Sequence, residues 1–333
     1  MEQQRARRVV VLGARGRLGG AVTQAFAEAG WDVVAQVRPG SAPGLARPGV
    51  AWQACEVTDT QALARWAEGA QVVVHAMNPA AYTRQAWAAQ APALTDAAVA
   101  LAQRLGARLM FPGNVYGFGE GMPPTLSPDT PQRPTTAMGQ IRLELEQRVG
   151  RACAQGLNAV IVRAGDFFGP VPGTWLDMAM AKELARGRFV YPGAMDVAHA
   201  WAYLPDLANT FVKVAHAWSP VPGGQLASLH FAGHTVRGHD WWRVLSAHAQ
   251  QPLTAKGMPW GIMRLLALFK PELATLQAMR YLWERPHALD SDRLRALIGP
   301  EPHTPFDRAV ADSLGGVGLA PEADPVVFTR LEV

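Results

Sequence analysis

Near its N-terminus the chain reads Val9-Val10-Val11-Leu12-Gly13-Ala14-Arg15-Gly16-Arg17-Leu18-Gly19-Gly20. The four apolar residues predict a buried strand, and the glycines after them predict a tight turn that leads into a helix. Gly13 lets the chain turn sharply, Gly16 lets the backbone approach a pyrophosphate at the helix N-terminus, and Gly19 lets the helix pack closely on the strand. The stretch therefore favours a dinucleotide-binding turn over a bare tight turn, with the ligand held by Gly13, Arg15, Gly16, Arg17, Leu18 and Gly19.

Short apolar runs alternate with helical stretches through the first half of the chain. Strands are predicted near residues 8–13, 32–37, 50–55, 71–75, 107–111 and 158–162, and helices near 19–29, 61–68 and 86–104. Buried strands joined by helical crossovers form a parallel sheet with helices on both faces. The pattern predicts an α/β, Rossmann-type doubly wound fold, which binds ligands at the carboxyl ends of its strands.

The rhythm changes beyond about Gly165, where Gly/Pro-punctuated segments and helices rich in Trp, Met and Leu predict a smaller, mostly helical lobe. We expect residues 1–165, with about 196–220, to form the dinucleotide-binding domain, and residues 166–195 and 221–333 to form the substrate-binding lobe. Most of the eleven tryptophans are expected in the core. Residues 260–269, which include Arg264, read as an exposed amphipathic surface, a buried helix or a dimer face, the last two being favoured over a membrane contact.

Bulk properties narrow the class of protein. The chain has 333 residues, a formal charge of +4 and a pI of about 9.3, with its arginines scattered instead of clustered, so nucleic-acid binding is not expected. Cys55 and Cys153 lie far apart without companion ligands, which indicates neither a metal site nor a disulfide scaffold. We expect a cytoplasmic protein with a small-molecule substrate, no membrane partner and, as one option, a homodimer.

The end of the second strand bears on the choice of cofactor. The strand ends in Val37-Arg38-Pro39 and lacks the acid that would grip a ribose 2′-hydroxyl. Arg38, helped by Arg15 or Arg17, suits a 2′-phosphate, because guanidinium groups match phosphate oxygens. The sequence therefore favours NADP(H), with NAD(H) as an alternative if these arginines are merely solvated.

Several separated motifs carry a family resemblance. They are the GxxGxxG turn, Glu56-Val57-Thr58-Asp59, Val73-Val74-His75-Ala76, Asn114-Val115-Tyr116-Gly117, Arg163-Ala164-Gly165-Asp166-Phe167-Phe168-Gly169-Pro170, and Tyr203-Leu204-Pro205-Asp206. With them the chain resembles the extended short-chain dehydrogenase/reductase family, also called the NAD-dependent epimerase/dehydratase family. The resemblance implies a nicotinamide cofactor that also contacts Asp59, His75, Ala76 and Arg142.

The family's catalytic motif does not match. Members use a Ser/Thr with a YxxxK motif, in which the Tyr exchanges a proton with the substrate and the Lys lowers the pKa of that Tyr. Counting back from Glu146, the Lys position falls on Arg142 and the Tyr position on Met138, while the Ser/Thr position falls on Pro112. Arginine stays protonated and methionine cannot exchange protons, so the usual mechanism is in doubt.

Other polar residues near the carboxyl edge are candidate replacements. Tyr116 is a candidate acid or a packing residue, with packing favoured, and Asn114 either binds a substrate carbonyl or caps a turn. Tyr82 is a second candidate acid, and Arg84 a candidate anion clamp for the substrate.

Three candidates follow later in the chain. Asp166 and Tyr203 are expected to bind substrate, and His199 is either an acid–base group paired with Tyr203 or a structural histidine.

Three functions remain open from the sequence. The leading hypothesis is an NAD(P)-dependent oxidoreductase that acts on a small carbonyl or alcohol. The others are a sugar-nucleotide epimerase or dehydratase, which normally needs the missing triad, and a non-catalytic NADP(H)-binding sensor.

Overall fold

The structure is a computed structural model in which residues 7–319 are described. Its strands are β1 (Arg8–Leu12), β2 (Asp32–Val37), β3 (Val50–Ala54), β4 (Val72–His75), β5 (Arg108–Gly113), β6 (Thr125–Leu126), β7 (Asn158–Arg163), β8 (Asp166–Phe168), β9 (Arg188–Tyr191), β10 (His199–Tyr203), β11 (Gln225–His230), β12 (His234–Val236), β13 (Thr254–Gly257) and β14 (Ala288–Leu289).

The α-helices alternate with these strands in the first half and dominate the second. They are α1 (Arg17–Glu28), α2 (Thr60–Trp66), α3 (Arg84–Leu105), α4 (Ala137–Cys153), α5 (Leu204–Ala217), α6 (Gly238–Ser246), α7 (Trp260–Leu266), α8 (Pro271–Ala278), α9 (Asp292–Ile298) and α10 (Phe306–Gly316). Two 3₁₀ turns, Tyr116–Phe118 and Arg280–Trp283, contribute to the candidate site.

Seven strands form the main sheet in the order β11-β7-β5-β4-β1-β2-β3, and all neighbours are parallel. This confirms the predicted doubly wound Rossmann-type fold. The strand order reverses between β1 and β4. In folds of this type, ligands bind beside that point at the carboxyl ends of the strands.

The strands of this sheet are buried on both faces. Val9 and Val11 of β1 pack into one core with α1 and α5, while Val10 and Leu12 pack into another core with α3 and α4. Alternate residues of a strand point to opposite faces, so a continuous apolar run is what a central strand with two covered faces requires.

The second lobe has its own core around two small sheets, one of β8, β10 and β12 and one of β9 and β13. Most tryptophans are buried as expected, including Trp201, Trp241 and Trp283. Helix α5 packs on α1 against one face of the main sheet.

Two segments lie on the other side of the expected domain division. β11 was expected in the substrate lobe, but it pairs with β7 at the edge of the main sheet because α5 carries the chain back there. β10 was expected in the dinucleotide-binding domain, but it pairs with β8 and β12 in a small sheet.

The region around α7 is not a buried helix. Trp260 is buried, but Leu265 is 64% and Phe269 is 82% exposed, so the buried-helix interpretation of residues 260–269 is wrong. No described helix is long and apolar enough to cross a membrane.

Candidate functional site

The glycine turn between β1 and α1 is shaped for close backbone packing. Gly13 adopts a φ of +78°, and a Cβ on it would lie 2.8 Å from the Ala76 carbonyl oxygen. A Cβ on Gly19 would lie 2.2 Å from the Gly13 carbonyl oxygen. Helix α1 begins after Gly16 without a side-chain cap, which leaves backbone N–H groups at its N-terminus to meet an anion. The turn therefore fits a dinucleotide pyrophosphate.

Gln36 holds this turn in place, and the sequence analysis missed it. The Gly13 N–H donates to Gln36 Oε1 at 3.0 Å, and Gln36 Nε2 donates to the Cys55 carbonyl at 2.7 Å. The side chain is buried in β2 and links the ends of β1, β2 and β3. The signal in the sequence was a lone amide inside the apolar strand Asp32–Val37.

The three arginines proposed for the cofactor are all exposed at the same edge. Arg38 follows β2 directly, and Arg15 donates to the Pro43 carbonyl at 3.4 Å. Arg17 instead contacts the Gly173 carbonyl and so reaches across to the second lobe. Within residues 7–319 none of the three pairs with a carboxylate. The charges of Arg15 and Arg38 are therefore not neutralised within the described chain.

The remaining cofactor candidates have structural contacts of their own. Leu18 is buried in the core beneath α1, and Asp59 caps α2 by accepting from the Ala62 N–H at 2.9 Å. His75 lies 3.3 Å from Thr95 Oγ1, and burial lowers its pKa to about 4. A buried neutral histidine at the end of β4 supports the crevice from below. Ala76, the next residue, lies directly under Gly13.

Two phenols meet at the carboxyl edge of the main sheet. The hydroxyls of Tyr82, which follows β4, and Tyr116, which follows β5, lie 3.4 Å apart. Asn114 Oδ1 accepts from the Tyr116 N–H at 3.1 Å, so the asparagine caps the turn that carries the tyrosine. Tyr281 Oη donates to the Tyr116 carbonyl at 3.3 Å and fixes the turn from the second lobe.

Both phenols are strongly biased to the neutral form. Burial raises the pKa of Tyr82 to about 12. It raises the pKa of Tyr116 well above its ordinary value, and the charges of Tyr82 and Asp166 act in the same direction. The Arg142 guanidinium opposes the rise in the pKa of both. Tyr82, Tyr116, Asp166 and Arg142 therefore belong to one electrostatic cluster.

A carboxylate–imidazole pair, in which the imidazole is buried and the carboxylate half-buried, borders this cluster. His199 Nε2 lies 3.0 Å from Asp166 Oδ2, and His199 Nδ1 lies 3.2 Å from the Leu282 carbonyl oxygen. The imidazole stacks on Trp283 with 4.3 Å between ring centroids and 9° between planes. Both ring nitrogens lie within hydrogen-bond distance of an oxygen atom. The arrangement holds His199 rigidly beside Asp166.

Two predicted residues do not join the cluster. Arg84 has an exposed side chain, and its backbone N–H donates to Thr275 Oγ1 at 3.3 Å, while Thr83 caps α3. Tyr203 lies in the second-lobe core with its ring 5.3 Å from that of Phe168. The expected pairing of His199 with Tyr203 is not formed, because the partner of His199 is Asp166.

Comparison with known proteins identifies the family. The family model described as NAD dependent epimerase/dehydratase family matches residues 9–225. The chain belongs to the NAD-dependent epimerase/dehydratase family. No curated protein sequence matches the chain.

Solved structures of low identity share the fold of this epimerase/dehydratase-family protein. A nucleoside-diphosphate-sugar epimerase from Pseudomonas aeruginosa has a TM-score of 0.70 and 18% identity over 95% of this chain and 99% of that one. UDP-glucose 4-epimerase from Thermotoga maritima, solved with UDP-glucose, has a TM-score of 0.71 and 13% identity over 93% and 98%. The Bordetella bronchiseptica enzyme WbmH, solved with NAD+, has a TM-score of 0.70 and 14% identity over 94% and 98%.

At the positions of the family's catalytic motif, this chain has other residues. Met138, at the tyrosine position, is buried in an apolar core. Arg142, at the lysine position, donates through Nη2 to the Pro112 carbonyl at 2.6 Å, and its guanidinium faces the rings of Trp87 and Phe111. Arg142 contacts Pro112 directly, and Met138 lies one turn earlier than Arg142 on the same helix, α4. This epimerase/dehydratase-family protein keeps a cation there and has no proton-exchanging group at position 138.

Proposed function

We propose that the chain is an NAD(P)-dependent oxidoreductase that acts on a small carbonyl or alcohol and moves the substrate proton through the Tyr82–Tyr116 pair. The observation that carries this proposal is the 3.4 Å approach of the two hydroxyls at the carboxyl edge, within the field of Arg142. A phenol and a fixed cation are what the family's missing tyrosine and lysine would supply.

For the cofactor, we propose a preference for NADP(H). The glycine turn fits the dinucleotide shared by both forms, and the exposed Arg38 after β2, with Arg15 nearby in the turn, suits the extra phosphate. Bound nicotinamide supplies hydride transfer. The role of the chain is to hold the dinucleotide and to provide the matching proton.

The electrostatics indicate how the phenols would work. Because burial raises the pKa of both phenols, Tyr82 and Tyr116 stay protonated at neutral pH and can donate a proton to an oxyanion as it forms. The positive charge of buried Arg142 stabilises the phenolate left behind. Tyr82 and Tyr116 are both only partly buried, so the proton can return to the pair from solvent.

A second candidate is a sugar-nucleotide epimerase. It is supported by the solved structures of similar fold, among them the Thermotoga maritima UDP-glucose 4-epimerase. Asp166 and His199 would then contact the sugar in the crevice. With Met138 at the family's tyrosine position, this candidate too would need the Tyr82–Tyr116 pair for its proton exchange.

We also propose a reducing, cytoplasmic setting and a soluble small-molecule substrate. Cys55 and Cys153 are both buried free thiols, and burial raises the pKa of each to about 11. Thiols of this kind are unreactive and need no oxidising compartment. A homodimer is the oligomeric state that we propose.

Activity assays with matched tyrosine variants test the chemistry. Purified protein would be offered a panel of small aldehydes and ketones with NADPH or NADH, and UDP-glucose with NADP+ or NAD+. Oxidation or reduction of the cofactor would be followed by absorbance. With an active substrate, Tyr116→Phe should lower kcat by about a hundredfold or more, and Tyr82→Phe should lower it to a similar or smaller extent. Tyr203→Phe is the control, because it removes a buried hydroxyl outside the cluster.

Each outcome separates the candidates. Full activity in both Tyr116→Phe and Tyr82→Phe would exclude the phenols as the acid. Tight cofactor binding without turnover on any substrate would favour a sensor. Conversion of UDP-glucose into its C4 epimer without net reduction of NADP+ or NAD+ would favour the epimerase.

A further inference from the structure

The segment 260–270 has apolar side chains on both of its faces. Trp260 is buried and Met263 packs on the second-lobe core, so one face is covered by the protein. The other face carries large apolar side chains at positions 262, 265, 266 and 269, and position 268 adds one more near the end of the segment. They are Ile262 (63% exposed), Leu265 (64%), Leu266 (43%), Phe269 (82%) and Leu268 (74%).

The helical conformation extends past the end of α7. The Ala267 N–H donates to the Met263 carbonyl at 2.8 Å, and the Lys270 N–H donates to the Leu266 carbonyl at 3.0 Å. Residues 260–270 therefore form an apolar helical rod about 16 Å long. A helix that is apolar on all sides is normally buried on all sides, so the exposed stripe marks an interaction surface.

The charged residues within the segment that contains this stripe are all positive, and the next acidic residue along the chain is exposed Glu272 at the start of α8, which contacts α7. Between Asp240 and Glu272 the sequence contains no acidic residue, while Arg243, Lys256, Arg264 and Lys270 occur there. All four side chains are exposed, and none forms a salt bridge with a residue in the range 7–319. The partner of this surface should therefore combine negative charge with an apolar interior.

We propose that residues 256–270 dock the protein on an anionic lipid surface, with Leu265, Phe269 and their neighbours in the boundary between headgroups and acyl chains. A second copy is a poorer partner, because two-fold pairing of this face would set Arg264 and Lys270 against the same cations of the other copy. An anionic bilayer offers both negative headgroups and apolar depth. At about 16 Å the rod is too short to cross a bilayer of about 30 Å, so it lies in the interface.

This surface is joined directly to the candidate site. Helix α8, which follows the rod, contacts the start of α3 through Thr275, and the 3₁₀ turn after α8 supplies Tyr281 and Trp283 to the cluster. Docking would hold the site near the lipid surface. The proposal departs from the expectation of no membrane contact, and it does not depend on the chemistry proposed above.

Vesicle co-sedimentation of the full chain tests the docking. The probes are phosphatidylcholine vesicles and vesicles in which part of the phosphatidylcholine is replaced by phosphatidylglycerol. The chain should bind the anionic vesicles and bind phosphatidylcholine alone much more weakly, with binding reduced by salt. Arg264→Gln with Lys270→Gln should lower the partition coefficient by about 25-fold, roughly fivefold for each cation.

A second pair of variants tests the apolar contact. Leu265→Ser with Phe269→Ser should lower the partition coefficient by at least about tenfold while leaving the circular dichroism unchanged, because both side chains are exposed. The control is Leu45→Ser with Arg151→Gln, an exposed apolar residue and an exposed cation outside the segment, which should bind like the parent. No binding to anionic vesicles, or unchanged binding in the Leu265/Phe269 variant, would overturn the proposal. So would a dimer in solution that the same variant dissociates.

Discussion

At the scale of single residues, Arg38 decides the proposed cofactor preference. It is the first residue after β2, and its side chain is exposed without a carboxylate partner among the described residues. A charge-assisted contact with a 2′-phosphate exists only for NADP(H). Arg38→Ala should therefore weaken NADPH binding by about tenfold to a hundredfold and leave NADH binding nearly unchanged.

Quenching of the protein's tryptophan fluorescence by each cofactor measures this difference. Arg151→Ala, on the exposed last turn of α4, is the matched control and should bind both cofactors normally. If Arg38→Ala weakens NADPH and NADH equally, or neither, Arg38 does not recognise the extra phosphate and the preference for NADP(H) falls.

Other single residues show where sequence reasoning stops. From the sequence, Asn114 could either bind a substrate carbonyl or cap a turn, and in the structure its side chain accepts from the Tyr116 N–H as a cap. The Asp166–His199 contact joins residues 33 positions apart on two paired strands. No local pattern encodes such a pairing, since it depends on how β8 and β10 align in the small sheet.

At the scale of elements, the junction of β1 and α1 depends on the absence of a side chain at Gly19. A Cβ there would lie 2.2 Å from the Gly13 carbonyl oxygen, and the obstructing atom is backbone. Gly19→Ala should lower the free energy of unfolding by about 1–3 kcal/mol and abolish cofactor binding, because the helix must move off the strand.

The adjacent glycine provides the control. A Cβ on Gly20 would meet its nearest atom, the Ala14 carbonyl oxygen, at 3.6 Å, which is an ordinary contact. Gly20→Ala should therefore keep cofactor binding and add up to about 1 kcal/mol of stability through helix propensity. Urea denaturation and cofactor titration of both variants measure the contrast. Equal stability of Gly19→Ala and Gly20→Ala would refute the close packing assigned to Gly19.

The strands of the first half could be predicted closely, because their short apolar runs are bounded by turn residues such as glycine and proline. The strand Asp32–Val37 has the bounds that were predicted from its sequence. The second half could not be resolved to the same degree. Strands β8, β9, β10 and β12 have three to five residues each and are defined by long-range partners, so periodicity has too few residues to act on.

At the scale of the whole molecule, buried neutral histidines link folding to pH. Burial lowers the pKa of His75, His230 and His234 to about 4 and that of His287 to about 3. In the unfolded chain each titrates near 6.5. Each therefore contributes stability that is fully present above pH 6.5 and is lost as the pH falls from about 6.5 towards 4, because only the unfolded chain takes up the proton.

Within that window, the free energy of unfolding should fall by about 1.4 kcal/mol per pH unit for each histidine. Most carboxylates titrate at lower pH and contribute little there. Urea denaturation at pH 7, 6 and 5 should show a midpoint that falls steadily. In His75→Gln the slope should be smaller by about one proton, since a glutamine amide can keep the contact with Thr95 without titrating. His239→Gln, at an exposed histidine, should leave the slope unchanged. A flat stability between pH 7 and 5 would mean that these histidines are not held neutral by the fold, and the support assigned to His75 beneath the crevice would fail with it.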